Sequence, residues 1–406
     1  MNESEKEIFM ESLIDNDGWT VLHHACLKGN KDMCLYLIGE YPRLLSKKDR
    51  REQHCLHLVA ESGNVECFQS IADLALKDMN ESEKEIFMES LLDNDGWTVL
   101  HQACLKGNKD ICLYLIGEYP RLLSKKDRRE QHCLHLVAES GNVECFQSIA
   151  DLALKDMNES EKEIFMESLL DNDGLTVLHR PCLKGNKDIC LYLIGEYPRL
   201  LSKKDRREQH CLHLVAESGN VECFQSIADL ALKDMNESEK EIFMESLLDN
   251  DGWTVLHHAC LKGNKDICLY LIGEYPRLLY KKDRREQHCL HLVAISGNVE
   301  CFQSIADLAL KDMNETEKEI FMESLLDNNG WTVLHHACLK GNKDMCLYLI
   351  GEYPRLLSKK DRREQHCLHL VAESGNVECF QSIADLALKD MNEIRKRNIH
   401  GESNRQ

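Results

Sequence analysis

The sequence predicts an all-α solenoid of about ten helix–turn–helix units, with an additional short helix once in every second unit. Three observations carry this. The chain repeats with a period of 78 residues and no insertions, so that Met1, Met79, Met157, Met235 and Met313 open near-identical segments. Each period contains two related halves, one starting at Asp15 and one at Asp49. Apolar residues within each half recur at helical spacing between glycine- and asparagine-marked breaks. A fixed period of this kind describes a linear array in which each unit buries its apolar face against its neighbours.

The first half reads Asp15-Asn16-Asp17-Gly18-Trp19-Thr20-Val21-Leu22-His23-His24-Ala25-Cys26-Leu27-Lys28-Gly29. Thr20 is a suitable N-cap for a short helix through Val21, Leu22, Ala25 and Cys26, because its hydroxyl can accept from a first-turn N–H. Gly29-Asn30 breaks that helix, and a second one carrying Met33, Cys34, Tyr36, Leu37 and Ile38 ends before Pro42. In the second half Asn64 precedes a helix whose buried side holds Val65, Phe68, Ile71, Ala72 and Ala75.

The halves differ in length. Asp15 to Asp49 is 34 residues and Asp49 to Asp93 is 44. The surplus contains Ser82-Glu83-Lys84-Glu85, a capping-box pattern, followed by Ile86, Phe87, Met88, Leu91 and Leu92, which predicts an additional short helix, or a lengthened second one, projecting once per doublet. Residues 1–14 hold the same element as an N-terminal cap. The array then runs over 15–390, with doublets starting at 15, 93, 171, 249 and 327, and residues 391–406 form a basic, then disordered, tail.

These halves resemble the ankyrin repeat, whose pattern is D-x-x-G-x-T-P-L-H-x-A-A-x-x-G followed by an apolar second helix. The first half matches at Asp15, Gly18, Thr20, Leu22, His23, Ala25 and Gly29, and the second keeps Asp49, Leu56, His57, Ala60 and Gly63. The resemblance spans residues 15 to about 390 and implies a protein-binding scaffold or adaptor. The alternative is the soluble arm of a larger membrane channel or signalling protein.

Composition narrows the function further. Charged residues make up 30% and apolar residues 43%, as in a folded protein. A net charge of −20 opposes nucleic-acid or acidic-membrane binding, which needs a basic surplus. The acidic start lacks a secretion signal, and no apolar run is long enough to span a bilayer. A monomeric, cytoplasmic chain is expected. It should not be an enzyme, since it has no phosphate loop, Gly-x-Ser-x-Gly elbow or His-Glu-x-x-His. No cofactor or metal is expected either. The 20 cysteines are four per period, without a Cys-x-x-Cys pair, and the resemblance puts Cys26, Cys34, Cys55 and Cys67 at packing positions.

The family geometry carries turn residues onto a concave binding face. In first halves these are Asn16, Asp17, Trp19, Leu27 and Lys28; in second halves Arg50, Arg51, Gln53, Glu61 and Ser62. Trp19, Trp97, Trp253 and Trp331, interleaved with Arg50/Arg51, Arg128/Arg129 and Arg284/Arg285, make the candidate partner-binding set. Tryptophan and arginine are the usual anchors of protein interfaces, and a tryptophan on an exposed turn has no packing reason to be there. The alternative is that each indole folds against its neighbouring turn. In the run Lys47-Lys48-Asp49-Arg50-Arg51 the lysines are expected to balance nearby carboxylates.

Two departures predict local defects. Pro181 falls at the fifth position of its helix, where it should kink the helix at a cost of about 3 kcal/mol and make the weakest point of the array. Leu175 removes the tryptophan of that copy. In every second half Glu52 stands where the turn needs glycine, so this turn is expected to take a different shape.

Overall fold

The computed structural model describes residues 3–388; the predicted basic tail, 391–406, lies outside them. Those residues form helices joined by turns, short 3-10 segments and isolated β-bridges, with no strand among them. The chain divides into two compact units, Met1–Arg206 and Arg207–Gln406.

In the first unit, α1 (Glu3–Ser12) precedes α2 (Val21–Leu27) and α3 (Lys31–Glu40), then a 3-10 turn over Pro42–Ser46. Next come α4 (Cys55–Ser62), α5 (Val65–Ala75) and α6 (Glu81–Ser90), after which α7 (Val99–Leu105) and α8 (Lys109–Glu118) repeat the pattern. The helices pack in register: α2 against α3 and α4, and α4 in turn against α5 and α7. The second unit repeats this order from Cys211–Ser218 onward.

Sequence-local caps explain the starts. Thr20 Oγ1 accepts from the His23 N–H, and His23 Nδ1 accepts from the Thr20 N–H at 3.0 Å, a reciprocal box with histidine in the third position. In α4, His54 takes the threonine's place: its Nδ1 accepts from the Leu56 N–H at 3.2 Å, and His57 Nδ1 accepts from His54 N–H at 3.1 Å. Asn64 Oδ1 caps α5 through the Cys67 N–H, while its amide donates across to Gly29 O at 2.9 Å. One side chain thus starts a helix and joins two units.

The additional helix has a cap other than the one its sequence suggests. The box is Asn80 with Glu83, the Glu83 N–H donating to Asn80 Oδ1 at 3.1 Å and Asn80 N–H to Glu83 Oε2 at 2.9 Å. It starts two residues before Ser82, since asparagine caps as well as serine. Met88 and Leu91 anchor this helix in the core. Glu85 and Glu89 pair with Arg121 at 3.4 and 3.5 Å, and Glu89 also with Lys125, so the helix is clamped to the next 3-10 turn rather than projecting.

All 20 cysteines are buried and unbridged. They pack as small apolar groups beside the fully buried Phe68, Phe146, Phe224 and Phe302. Among the described residues no group of three or more His, Cys, Asp or Glu side chains is arranged to hold a metal ion.

Pro181 does not kink its helix; it shortens it. The helix starts at His179, two residues later than in the other copies, and ends at Lys184. The missing N–H therefore falls in the first turn, where no intrahelical bond is due. The His179 N–H closes a tighter turn onto Thr176 O at 3.1 Å in place of the regular bond made by His24, Gln102, His258 and His336. The defect is smaller than an interior proline would impose. Pro181→Ala is expected to regain that regular turn and stabilise the first unit by about 1 kcal/mol, the net worth of one hydrogen bond. An unchanged urea midpoint would refute this account.

Candidate protein-binding face

Each turn is built on an aspartate. Asp15 Oδ1 accepts from the N–H groups of Asp17 and Trp19, both at 2.9 Å. Asp49 Oδ1 does the same for Arg51 and Gln53 at 2.8 Å. Gly18 holds φ at 81°, and a Cβ there would come within 3.0 Å of the Arg50 nitrogen. Glu52 occupies the corresponding position at φ 60°, as do Glu130, Glu208, Glu286 and Glu364 at 59–60°. The turn thus keeps its shape with a strained residue, against the expectation of a different one.

Successive turns are stitched together by main-chain bonds. Arg50 N–H donates to Asp17 O at 3.1 Å. Asn94 donates its N–H to Arg51 O at 2.8 Å and its side-chain amide to Arg50 O at 3.1 Å. Below them His57 Nδ1 already accepts a hydrogen bond from the His54 backbone N–H, so Nε2 carries the hydrogen and donates to Trp97 O at 3.1 Å. Burial pulls the His57 pKa down to about 4, keeping the ring neutral for that task.

Trp19 has a structural partner that its sequence context did not reveal. Its Nε1–H donates to Asp49 Oδ2 at 2.7 Å, thirty residues on, and its ring is half-buried against His24 in an edge contact at 5.2 Å. Trp97 donates likewise to Asp127, Trp253 to Asp283 and Trp331 to Asp361, each at 2.8 Å. Each indole therefore locks one turn to the next while leaving part of its ring accessible. Asp127 receives three donors, Trp97 Nε1 and the N–H groups of Arg129 and Gln131. Asp127→Ala is expected to cost about 3 kcal/mol, since it strands buried donors of a charge-assisted cluster. Trp97→Phe, which deletes a single donor, should cost about a third of that by urea denaturation.

In the first unit a groove of about 370 Å³ brings Trp19, Arg51, Trp97, Leu105 and Lys106 together, with Gln53 and Glu61. Leu105 and Lys106 repeat Leu27 and Lys28 one period on. A neighbouring hollow of about 250 Å³ adds Arg50, and another of about 210 Å³ joins Trp97 to Arg129 and Arg180. Arg128 is exposed on its turn, Leu27 is half-buried and Lys28 exposed. In the second unit Arg284 and Arg285 are exposed beside the half-buried Trp253, with Trp331 one period further on. Asp95, the copy of Asp17, lines it with Gln53 and Glu61 as the repeat frame expects, whereas Asp93 and Gln102 line it without having been named for it from the sequence.

The third copy fills the same place differently. Leu175 stands for tryptophan, and Arg180 pairs with Glu139 and Asp171, both at 3.1 Å. A guanidinium so takes over the ties that His258 makes to Glu217 and Asp249 one period on.

Stacked helix pairs with aspartate-braced turns and an accessible turn face define a repeat protein of the interaction class. The chain belongs to the ankyrin-repeat family: the model described as "Ankyrin repeats (3 copies)" matches residues 41–127, 198–282 and 275–360, and the model "Ankyrin repeat" matches 17–43. The chain is similar to the "Probable 26S proteasome regulatory subunit p28" of Saccharomyces cerevisiae, 24% identical over 63% of this chain and 84% of that protein. It is similar to "Protein ACCELERATED CELL DEATH 6" of Arabidopsis thaliana, 24% identical over 52% of this chain. It also resembles the human "Transient receptor potential cation channel subfamily A member 1", 29% identical over 25% of this chain. These matches span 32% of the plant protein and 11% of the human one. Among the described residues no helix is long and apolar enough to cross a membrane.

Proposed function

We propose that this chain is a cytoplasmic, non-catalytic scaffold or adaptor that holds a partner protein, through an extended segment, along the face formed by its turns. The observation that carries this reading is the groove uniting Trp19, Arg51 and Trp97. Its half-buried indoles offer apolar area at little entropic cost, and its arginine offers directional hydrogen bonds. The backbone around it is braced by cross-turn bonds, so little ordering remains to be done on binding. The yeast relative is named as a regulatory subunit of a larger assembly, which agrees with a role in holding other proteins.

A second reading makes these residues an arm of a larger channel or signalling protein, in keeping with the short stretch shared with the human channel. Affinity capture from the source cells tests the first. The chain with Trp19, Trp97, Trp253 and Trp331 all changed to Ala, checked for retained helicity, should lose specific partners. An unchanged set of partners removes the turn face from consideration.

A further inference from the structure

The basic run of each second half divides into two behaviours. Lys47 pairs with Glu11 at 2.6 Å and Lys48 with Glu52 at 3.4 Å. Elsewhere in the first unit Arg43 and Arg121 are held by the carboxylates of the additional helices, at 3.2 and 3.4 Å. Arg180 is held by two carboxylates. Arg50, Arg51, Arg128 and Arg129, by contrast, are exposed and make no ion pair with the described residues, in a chain of net charge −20. In an acidic protein these four guanidinium groups stand as adjacent pairs without a carboxylate partner among the described residues.

Nearby carboxylates are already engaged. Asp49 and Asp127 each accept three hydrogen bonds. Glu61 is held by Lys106 at 2.9 Å. The exposed carboxylates left on this strip are Asp17 and Asp95, one for each pair of guanidinium groups. The arginine main chain is fixed from both sides: Arg128 N–H donates to Asp95 O at 3.0 Å, and Arg129 O accepts from Asn172 N–H at 2.8 Å. The second unit repeats the arrangement by itself, with Arg284 N–H on Asp251 O at 3.0 Å and Arg285 O accepting from Asn328 at 2.9 Å.

We propose that these arginine pairs make the turn face selective for an extended, carboxylate-rich peptide, its acidic side chains on Arg50/Arg51 and Arg128/Arg129 and its backbone over Trp19 and Trp97. This rests on the turn face being the binding surface. Paired guanidinium groups carried on a fixed main chain can match carboxylates in bidentate geometry, which lysine does not. The half-buried indoles give the peptide an apolar floor. Asp17 and Asp95 discriminate against an unbroken anionic run and favour carboxylates spaced by neutral residues.

The four tryptophans of the chain all lie on the turns, two in each unit, so their emission reports binding there. The full chain is titrated with three fluorescein-labelled peptides of about twelve residues, long enough to cross several turns at ~3.3 Å per residue: alternating Glu-Gly, alternating Lys-Gly, and Ser-Gly. The Glu-Gly peptide should bind, shift the tryptophan emission and weaken by about tenfold or more between ~50 and ~200 mM salt. Changing Arg50, Arg51, Arg128, Arg129, Arg284, Arg285, Arg362 and Arg363 to Gln should cost at least about tenfold in affinity while leaving helicity intact. Changing the paired Lys31 and Lys109 to Gln should leave affinity within about twofold, as exposed pairs contribute little. No binding of the Glu-Gly peptide, or equal binding by the arginine variant, overturns the proposal. A tryptophan response to the Lys-Gly or Ser-Gly peptide alone overturns it too, yet leaves the turn face standing as a protein-binding surface. Loss of that broader reading is seen separately, in the capture experiment.

Discussion

By pH 5 the folded array is expected to be lost, with a cooperative fall in helicity between about pH 6 and 5. The cause is a set of histidines used as buried neutral hydrogen-bonding groups. Burial pulls His54, His57 and His135 down to about 4, and His213, His257 and His291 to about 3. In the unfolded chain each ring titrates near its ordinary value of about 6.5. Below that value the unfolded state takes up protons that the folded state refuses, so stability falls with pH until the folded values are reached. At pH 5 each ring accounts for about 2 kcal/mol of lost stability, so the three in each unit account for roughly 6, comparable with the whole stability of a marginal domain. His258 works in the opposite sense. Burial alone would lower its pKa, but Asp249 at 3.0 Å and Glu217 at 2.8 Å more than offset this and raise it. Its contribution is complete below about 6.5 and lost as pH rises through the raised value; His132 and His288 are also raised, which makes three groups against those six and His335, itself pulled down to about 4. Circular dichroism from pH 8 to 4 checks the balance, and retention of full helicity at pH 4.5 would refute it.

Much of this fold was legible because its signals are local. Thr20, Gly29 and Asn64 mark helix ends within a few residues of the bonds they make, and the 78-residue period announces stacking without any structure. What escaped the sequence acts across turns. The indole of Trp19 finds its acceptor thirty residues away, so a fold against the neighbouring turn could be named as an alternative, but not its partner Asp49. Asp15 and Asp49 hold the same register in both halves, and that shared position could have suggested an acceptor. In the run Lys47-Lys48-Asp49-Arg50-Arg51 the pairing of the lysines is expected from the sequence, but not their partners, Glu11 from α1 and Glu52 from the same turn. Pro181 was read against an unmoving helix frame, whereas a helix start can slide two residues more cheaply than a helix interior can break.

Glu52 is where local reasoning was right about energy and wrong about shape, and that gives the second large prediction. Changing Glu52, Glu130, Glu208, Glu286 and Glu364 to Gly should stabilise the protein by about 2–5 kcal/mol in total. A non-glycine residue in the left-handed region costs about 1 kcal/mol, part of which glycine gives back through its freer unfolded chain. The side chain offers little to set against this, because the Lys48–Glu52 pair is 3.4 Å long and exposed. The strain persists because both ends of the turn are fixed. Glu52 N–H donates to Asp49 O at 3.0 Å, and Arg50 and Arg51 are bonded to the turns before and after. Contributions from separate repeats add in an array of this kind. The converse substitution is penalised twice, since Gly96→Ala places a side chain at φ 79° and its Cβ 3.0 Å from the Arg128 nitrogen. The five-glycine variant should therefore unfold at higher urea than the parent, and Gly96→Ala at lower. Equal midpoints for all three would mean that the left-handed glutamates carry no strain, and that the arginine pairs beside them are held by the cross-turn bonds alone.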